Sequence, residues 1–363
     1  MLAKFKKINY LFLFIIIILA IIGSAALYSA AGGSFDPWAK KHILRFIIFY
    51  IFLISISLVN IKILYKNAYF IFLIFLILLF LVEIAGFYGY GAKRWIYVFG
   101  ISIQPSEIIK VTLILALARY YHDLRYDRIK KIHNHIFPFL IIFIPFLLIV
   151  VQPDLGTSLS VLFLGILIMF FVGVKIWKFL LVFFITLVSF PFLWNNIKPY
   201  QQKRVLSFLN PESDPLGQGY QLIQSKIALG SGGLSGKGFL MGTQSYLEYL
   251  PEKQTDFIFT LIGEEFGFIG TIFIITLYIF LILISYYISI RSQNVFGKIL
   301  SIGVSINLFL YVILNIAMVS GLMPVVGIPL PLLSYGGTAM LSIMISFGLL
   351  MNADVNYNVK KFN

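Results

Sequence analysis

Three of the four carboxylates in the stretch "PEKQTDFIFTLIGEEFGFIG", residues 251–270, stand at the head of a long apolar run. They are Asp256, Glu264 and Glu265, and the run continues as "TIFIITLYIFLILIS". Ionised side chains are costly inside a bilayer, so acids at the start of a membrane helix need an explanation. A carboxylate in that position is the group that general-base catalysis at a membrane surface requires.

Two further motifs place acids at predicted helix starts. "QPSEIIK" sets Glu107 three residues before Lys110, the spacing at which two side chains on one helix meet, and "QPDLGTS" contains Asp154. One interpretation is helix capping, because carboxylates near a helix N-terminus are stabilised by about 0.3–1 kcal/mol. The other is a functional site, since a Glu–Lys pair inside a spanning helix is functional by default.

Basic residues complete the candidate chemistry. Arg94 and Trp95 lie in "GAKRW", Arg204 in "QQKRVLSF" and Lys237 in "SGKGF". Arginine and lysine suit a phosphate or pyrophosphate, although anchoring to lipid headgroups is an alternative. The glycine-rich stretch "ALGSGGLSGKG" lacks the spacing of a nucleotide P-loop, so its glycines more plausibly let the backbone approach a ligand or the membrane.

The composition identifies the chain as a polytopic membrane protein of the all-α class. Of its 363 residues, 60% are hydrophobic and only 12% are charged. Because a spanning helix needs about 20 apolar residues, we predict ten helices. Their expected ranges are 8–29, 43–59, 64–86, 104–120, 136–151, 156–173, 176–194, 257–288, 298–319 and 332–351.

The distribution of charge predicts the orientation. The net charge is +14, and more than half of the 28 Lys and Arg residues fall in alternate loops that would share one side with both termini. The positive-inside rule therefore places both termini in the cytoplasm. The basic residues are scattered over short loops, which argues against nucleic-acid binding. The first apolar stretch is longer than a signal-peptide core, so an uncleaved first helix is favoured over a cleaved signal.

The expected organisation is a single integral membrane domain, 1–363, with one large outer loop at 195–256. A loop of that length is usually functional, and amphipathic segments such as "YQLIQSKIAL" would cap the outer face. On the eighth helix, Asp256, Thr260, Gly263, Gly267 and Gly270 fall on one line, here called the glycine stripe. The stripe has two interpretations, close packing against a neighbour and the wall of a groove for a substrate chain, and both can hold along one helix.

Six motifs in order resemble the SEDS family of RodA and FtsW, from the first helix to the last. These motifs are "GAKRWI", "QPSEIIK", "QPDLGTS", "QKRVLSFLNPESDPLGQGYQLIQSKIALGSGGLSGKGF", "YLPEKQTDFIFTLIGEEFGFIG" and "GLMPVVGIPLPLLSYGGTAM". The stretches "GTQS" and "VVGIPLPLLSYGGT" look more like RodA than FtsW.

The resemblance implies a peptidoglycan glycosyltransferase that polymerises undecaprenyl-pyrophosphate-linked lipid II at the outer face of the bacterial cytoplasmic membrane during cell elongation. It also implies a class B penicillin-binding protein as partner. The family's essential acid falls on Asp256, and its motif residues fall on Arg94, Trp95, Glu107, Lys110, Asp154 and Arg204. Gln254 departs from the family pattern, where many members carry His, so a histidine relay to the acid is not available.

The residues fit an inverting transfer with Asp256 as general base. Arg94, Lys110 and Arg204 would stabilise the departing pyrophosphate, and Glu107 would hold Lys110 charged. Lys237 is a further candidate for substrate binding. A divalent cation, Mg or Mn, is compatible with the outer acids and the pyrophosphate, but no ligand set follows from the sequence. The alternative function is a flippase for a lipid-linked cell-wall precursor, which would also use intramembrane Glu107 and Lys110.

Overall fold

The protein is a bundle of membrane-length helices. The computed structural model describes residues 7–89, 92–98, 101–124, 128–129, 131–196, 202, 206–210, 217–246 and 249–359. Its main helices are α1 (Tyr10–Ala30), α2 (Ala39–Leu58), α3 (Ile61–Ala85), α4 (Pro105–Asp123), α5 (Ile136–Val151), α6 (Leu155–Val172), α7 (Ile176–Asn196), α8 (Gln218–Ser231), α9 (Thr243–Tyr246), α10 (Ile258–Arg291), α11 (Val295–Val319) and α12 (Gly337–Val355).

The ten predicted helices all form, with ends within five residues of the expected ones. Among the described residues, eight helices are long and apolar enough to cross a membrane. The multi-pass all-α prediction is therefore confirmed, while a count of ten spans is not. The two helices outside that set are α4 and α7. Helix α4 carries Glu107, Lys110 and Arg119, which lower its apolar content.

Helix starts are fixed by side-chain caps. Asn9, Asn60, Asp154 and Asn294 each stand at an N-cap and accept a hydrogen bond from a backbone N–H of the first turn. Helix α4 begins instead with Pro105, whose missing N–H costs nothing at a first helical position. These local signals set where each helix begins. The motifs before α4, α6 and α10, which carry Glu107, Asp154 and Asp256, lie at one end of the bundle. We call the end that carries Asp256 the site end.

The centre of the bundle is formed by α11, which packs against α4, α6, α10 and α12. Helix α2 packs on α12, and α3 packs on α4, so both lie at the periphery with many apolar side chains exposed. In a bilayer these exposed side chains face lipid, where they cost nothing. Helices α4 and α11 are the interior elements, which explains why polar groups on them are almost fully buried.

A small antiparallel sheet, absent from the sequence prediction, links α3 to α4. Its strands are β1 (Phe87–Gly89), β2 (Ala92–Val98) and β3 (Ile101–Ile103), in the order β1-β2-β3. Strand β2 carries Arg94 and Trp95, and Trp95 is paired with Phe87 of β1. The sheet fixes the direction of the segment that connects α3 to α4.

Helix α10 is broken within its span. Gly267 has φ 64° and ψ −159°, a backbone conformation open essentially to glycine alone. The break frees backbone groups, and the glycine-rich segment 232–238 satisfies them. Lys237 N donates to Glu264 O (3.0 Å) and Gly238 N to Glu265 O (2.9 Å), while Phe268 N donates to Gly233 O (2.9 Å). This pairing is what a broken helix in a membrane requires.

The glycine stripe is therefore a packing surface. A Cβ at Gly267 would lie 2.4 Å from Gly236 N, and a Cβ at Gly263 would lie 2.5 Å from the Leu229 side chain. Thr260 is fully buried and within 2.8 Å of Ser225 of α8. The packing interpretation holds for Thr260, Gly263 and Gly267, which α8 and segment 232–238 cover, so this part of the stripe is not an open groove. A Cβ at Gly270 would meet only Phe266 of the same helix. The glycines of that segment approach the α10 backbone and not a ligand.

The break at Gly267 generates the first prediction. We expect Gly267→Ala to destabilise the protein by at least about 1–3 kcal/mol, because the substitution forces a rare conformation and a clash with the 232–238 backbone. The midpoint of thermal aggregation in detergent measures the loss. Gly230→Ala is the matched control, since nothing lies within 4 Å of a Cβ there. Equal midpoints for the two variants would contradict the strain at Gly267.

Candidate active site

Asp256 lies in a tight turn two residues before the first residue of α10. The turn is closed by hydrogen bonds from Thr255 N (3.1 Å) and Phe257 N (3.3 Å) to Glu252 O. The N-cap position belongs to Phe257, so Asp256 precedes the helix and does not cap it. The Asp256 side chain is partly exposed, and its Oδ2 faces Gly327, where a Cβ would lie 3.4 Å away.

The 322–336 segment between α11 and α12 holds this turn in place. Ser334 donates its hydroxyl to Thr255 O (2.6 Å), and Tyr335 N donates to Gln254 O (2.8 Å). The amide of Asn315, on α11, donates both to Asp256 O (2.9 Å) and to Ile328 O (2.8 Å). One buried side chain thus ties the Asp256 turn to the segment that it faces.

Glu107 and Lys110 form the buried pair that their spacing predicts. Lys110 Nζ lies 2.8 Å from Glu107 Oε1, and the two residues are 2% and 4% exposed. Tyr311 of α11 donates its hydroxyl to Glu107 Oε2, and the ammonium of Lys110 lies 4.0 Å from the centre of the Tyr311 ring. The pair is therefore closed by a hydrogen bond and a cation–π contact, which offset part of the cost of burying it.

Helix α11 joins this pair to Asp256. Tyr311, which binds Glu107, and Asn315, which binds the Asp256 carbonyl, are four residues apart and so lie on one face, about 6 Å apart along the axis. The Glu107–Lys110 pair consequently lies about one turn deeper in the bundle than Asp256. The structure brings these three sequence candidates into one connected unit.

Asp154 is a helix cap with a second function in packing the sheet. Its Oδ1 accepts from Thr157 N (3.2 Å), and its Oδ2 accepts from the Thr157 hydroxyl (3.0 Å) and Gln104 Nε2 (3.2 Å). Arg94 Nε lies 3.9 Å from Oδ2, and Arg94 also donates to the carbonyls of Gln152 and Pro153. The capping interpretation of Asp154 is thus realised, with Arg94 attached to the capped turn.

The start of α6 also lies against the segment that faces Asp256. A Cβ at Gly156 would lie 2.3 Å from Val326 O, so the first turn of α6 touches the residue next to Gly327. Gly327 in turn faces the Asp256 carboxylate. The Arg94–Asp154 cluster and Asp256 therefore border the same segment from two sides.

Trp95 and Lys237 lie farther along the site end. Trp95 is partly exposed in β2, beside Arg94. Lys237 Nζ lies 2.7 Å from Glu264 Oε1, and it also donates to the Thr243 hydroxyl (2.8 Å). Its charge is thus engaged by a fully buried acid, and its assignment to substrate stays a prediction. Arg204 lies outside the described residues.

Arg45 is a candidate that the motif analysis did not select. It lies on α2 with its guanidinium 5.0 Å from the Tyr335 ring centre, and a Cβ at Gly337 would lie 3.3 Å from its Cζ. Tyr335 is bonded to Gln254, so Arg45 reaches the wall of the Asp256 turn. The sequence signal for Arg45 is a cation near the start of α2, at the side of the membrane where the positive-inside rule predicts few cations.

The Glu107–Lys110 pair generates the second prediction. Glu107→Ala or Lys110→Ala alone should cost about 3–5 kcal/mol, because each leaves one desolvated charge without its partner. The double variant should cost less than either single change. Melting midpoints in detergent test this, with Lys298→Ala, which removes an exposed lysine, as the control. Additive losses would mean that the two side chains are not coupled.

Comparisons with known proteins agree on one family. The family model FTSW_RODA_SPOVE, described as "Cell cycle protein", matches residues 6–359. The chain is 40% identical over 343 residues to the peptidoglycan glycosyltransferase MrdB of Escherichia coli K12, covering 94% of this chain and 91% of that protein. It is also 40% identical over 263 residues to stage V sporulation protein E of Bacillus subtilis, covering 72% and 71% of the two chains.

Solved structures share the fold. A structure described as showing the coordination of polymerization and crosslinking by a peptidoglycan synthase complex matches with a TM-score of 0.82 and 30% identity, covering 97% of this chain and 98% of that one. The rod shape determining protein RodA of Thermus thermophilus matches with a TM-score of 0.72 and 23% identity over 97% and 98%. With the family model covering nearly the whole sequence, the chain belongs to the FtsW/RodA/SpoVE family of multi-pass membrane proteins.

Proposed function

We propose that this protein is the peptidoglycan glycosyltransferase that its relatives are named to be, and that it polymerises lipid II at the outer face of the cytoplasmic membrane. The observation that carries the proposal is the placement of Asp256. It is a partly exposed carboxylate at the rim of the bundle, held by Asn315 above the buried Glu107–Lys110 pair. A base next to fixed positive charge is what glycosyl transfer from a pyrophosphate needs.

The reaction forms one bond and breaks one bond at the anomeric carbon of the donor sugar. The 4-hydroxyl oxygen of the acceptor sugar attacks that carbon, and Asp256 accepts the hydroxyl proton. The bond to the pyrophosphate oxygen breaks with its electron pair, so undecaprenyl pyrophosphate leaves as an anion. A single displacement inverts the anomeric centre, since no second carboxylate is invoked as a nucleophile.

The departing pyrophosphate is assigned to the cations around the 322–336 segment. Arg94 borders that segment through the start of α6, and the structure adds Arg45 beside Tyr335. Arg204 lies outside the described residues and is assigned from its sequence motif alone. Lys110 is enclosed by Glu107 and Tyr311, so it acts through its field from one turn below. Glu107 keeps that lysine charged and oriented. Trp95, Asp154 and Lys237 remain assigned to the substrate-binding region.

A flippase would need a polar path from the site end to the opposite end. Below Lys110, helix α4 continues through Val111, Leu113 and Ile114, which are at most 1% exposed. Residues 115–118 of the same helix are apolar and equally enclosed. Thr112, the polar side chain among residues 111–118, is buried and donates its hydroxyl to Ile109 O (3.1 Å) in the same helix. The stretch of α4 below the Glu107–Lys110 pair is thus enclosed and mainly apolar, which favours chemistry at one face over transport between two faces.

A divalent cation is proposed only as a counter-ion that would arrive bound to the pyrophosphate. Among the described residues, no group of three or more His, Asp or Glu side chains is placed to hold a metal. The carboxylate oxygens of Asp154 already accept the capping hydrogen bonds, and those of Glu107 accept from Lys110 and Tyr311. The residues therefore do not form a preformed metal site, and no step above depends on a metal.

The role in the cell follows from the same resemblance. We assign the protein to the elongation machinery, with a class B penicillin-binding protein as partner that crosslinks the product. The lipid tails of the substrates stay in the bilayer, because each buried CH₂ is worth about 0.8 kcal/mol. Both termini are assigned to the cytoplasm from the positive-inside pattern.

The third prediction tests the base. Asp256→Asn should abolish polymerisation of purified lipid II while leaving the melting midpoint near that of the wild type, because the Asn315 bond is to the backbone and is retained. Glu83→Gln is the matched control, since Glu83 is an exposed acid in the last turn of α3, at the site end of the bundle. Long glycan chains made by Asp256→Asn would remove this residue from the mechanism.

The fourth prediction tests the orientation. The chain has no cysteine, so single cysteines can be introduced without a background. In intact cells, Leu322→Cys, at an exposed position of the 322–336 segment, should react with a membrane-impermeant maleimide. Lys7→Cys should react only after permeabilisation. The reverse pattern would place the Asp256 face in the cytoplasm and contradict the assigned topology.

A further inference from the structure

A cavity of about 390 Å³ lies at the site end, apart from the residues assigned above to the reaction. It is bordered by the end of α1, the residues before α2, the segment before α9 and the turn before α10. Side chains and backbone that line it include Ser29, Gly32, Trp38, Leu240, Lys253 and Glu265. Its volume is in the range of small-molecule sites, about 300–1,000 Å³.

Glu265 is a buried acid on this cavity whose hydrogen bonding is incomplete. The residue is only 2% exposed, and its Oε1 accepts from the Ser29 hydroxyl. The amide of Leu240 approaches the carboxylate, but Oε2 has no hydrogen-bond partner of normal geometry among the described residues. A buried carboxyl oxygen left in that state costs free energy, so its retention beside a cavity points to a ligand that donates a hydrogen bond.

The wall above the two acids is built without a side chain. Gly242 lines the cavity, and a Cβ there would lie 3.1 Å from Glu264 Oε2 and 3.5 Å from Glu265 Cγ. Any larger residue would press on the carboxylates from the cavity side. Glycine at this position thus lets the cavity wall pack directly on the two acids, in a segment already fixed to α10 by the hydrogen bonds of Lys237 and Gly238.

The composition of the wall selects the chemistry of the ligand. The wall carries one acid, Glu265, and one cation, Lys253, so it lacks the concentrated positive charge that suits a pyrophosphate. Two neighbouring carboxylates are too few for a metal site, and Glu264 is already bonded to Lys237 and Thr243. An indole, a carboxylate and a hydroxyl around one cavity match a sugar ring, whose C–H face stacks on an aromatic ring and whose hydroxyls donate to acids.

We propose that this cavity is a saccharide subsite that holds sugar rings of the growing glycan chain after they leave Asp256. The inference rests on the glycosyltransferase function proposed above. The cavity is close enough, because Lys253 on its wall is three residues from Asp256, a span of at most about 10 Å. The closed turn between them fixes the relative positions of the cavity and the base.

The binding test uses full-length protein in lipid nanodiscs and a lipid-free tetrasaccharide of alternating N-acetylglucosamine and N-acetylmuramic acid. Equilibrium dialysis of the labelled sugar should show binding to the wild type. Trp38→Ala, which removes the stacking ring, and Ala31→Phe, which fills the cavity, should each weaken it about tenfold or more. Trp177→Ala is the matched control, because it deletes an exposed tryptophan of α7 that does not line the cavity. This variant should bind the sugar as the wild type does.

Chain lengths separate this inference from the proposed function. With lipid II, the wild type should make long chains, whereas Ala31→Phe should still form glycosidic bonds but release shorter products. Unchanged lengths together with unchanged tetrasaccharide binding would overturn the subsite and leave the assignment of Asp256 untouched. A wild type that binds the sugar but never polymerises would instead refute the proposed function. A phospholipid released from the wild-type cavity by Ala31→Phe, with no sugar binding, would also overturn the inference.

Discussion

The architecture of the site end depends on one constraint, that backbone N–H and C=O groups freed within a membrane-spanning helix must find partners in the protein. Helix α10 breaks at Gly267, and the break frees the carbonyls of Glu264 and Glu265. Segment 232–238 supplies the donors and so becomes attached to α10 by its backbone. The chain that follows directly, as far as the cavity wall at Gly242, is positioned by this attachment.

The three acids at the head of α10 divide their functions accordingly. Glu264 is fully buried and binds Lys237, Thr243 and Gln244, so its carboxylate fastens the same segment that its carbonyl holds. Glu265 binds Ser29 and so ties α10 to the end of α1. Only Asp256 precedes the helix and keeps a partly exposed carboxylate. Glu264 and Glu265 therefore hold the scaffold, whereas Asp256 lies in the turn that the scaffold supports, so the three acids are retained here for different reasons.

Much of the fold could be predicted from the sequence because apolar length and capping residues are local signals. Pro105 and Asp154, in two of the motifs, mark helix starts that the structure reproduces, and the i, i+3 spacing of Glu107 and Lys110 gave a true contact. Features that depend on distant partners were not predictable. The glycine stripe defined a face of α10 but not what covers it, and the covering segment lies some thirty residues earlier in the chain.

The candidate site shows the same limit more sharply. Tyr311 and Asn315 sit in an unremarkable apolar helix, yet they connect the Glu107–Lys110 pair to the Asp256 turn. No sequence motif marks them, because a single Tyr or Asn in a span is more often a satisfied packing residue than part of a site. Their importance comes from sharing one face of α11, which packs against α4, α6, α10 and α12. A buried ion pair on a mobile helix would be a poor source of fixed field, since moving it would expose or separate the charges. Placed between α4 and the central α11, the pair is held in one orientation by the contacts of Glu107 and Lys110 with Tyr311.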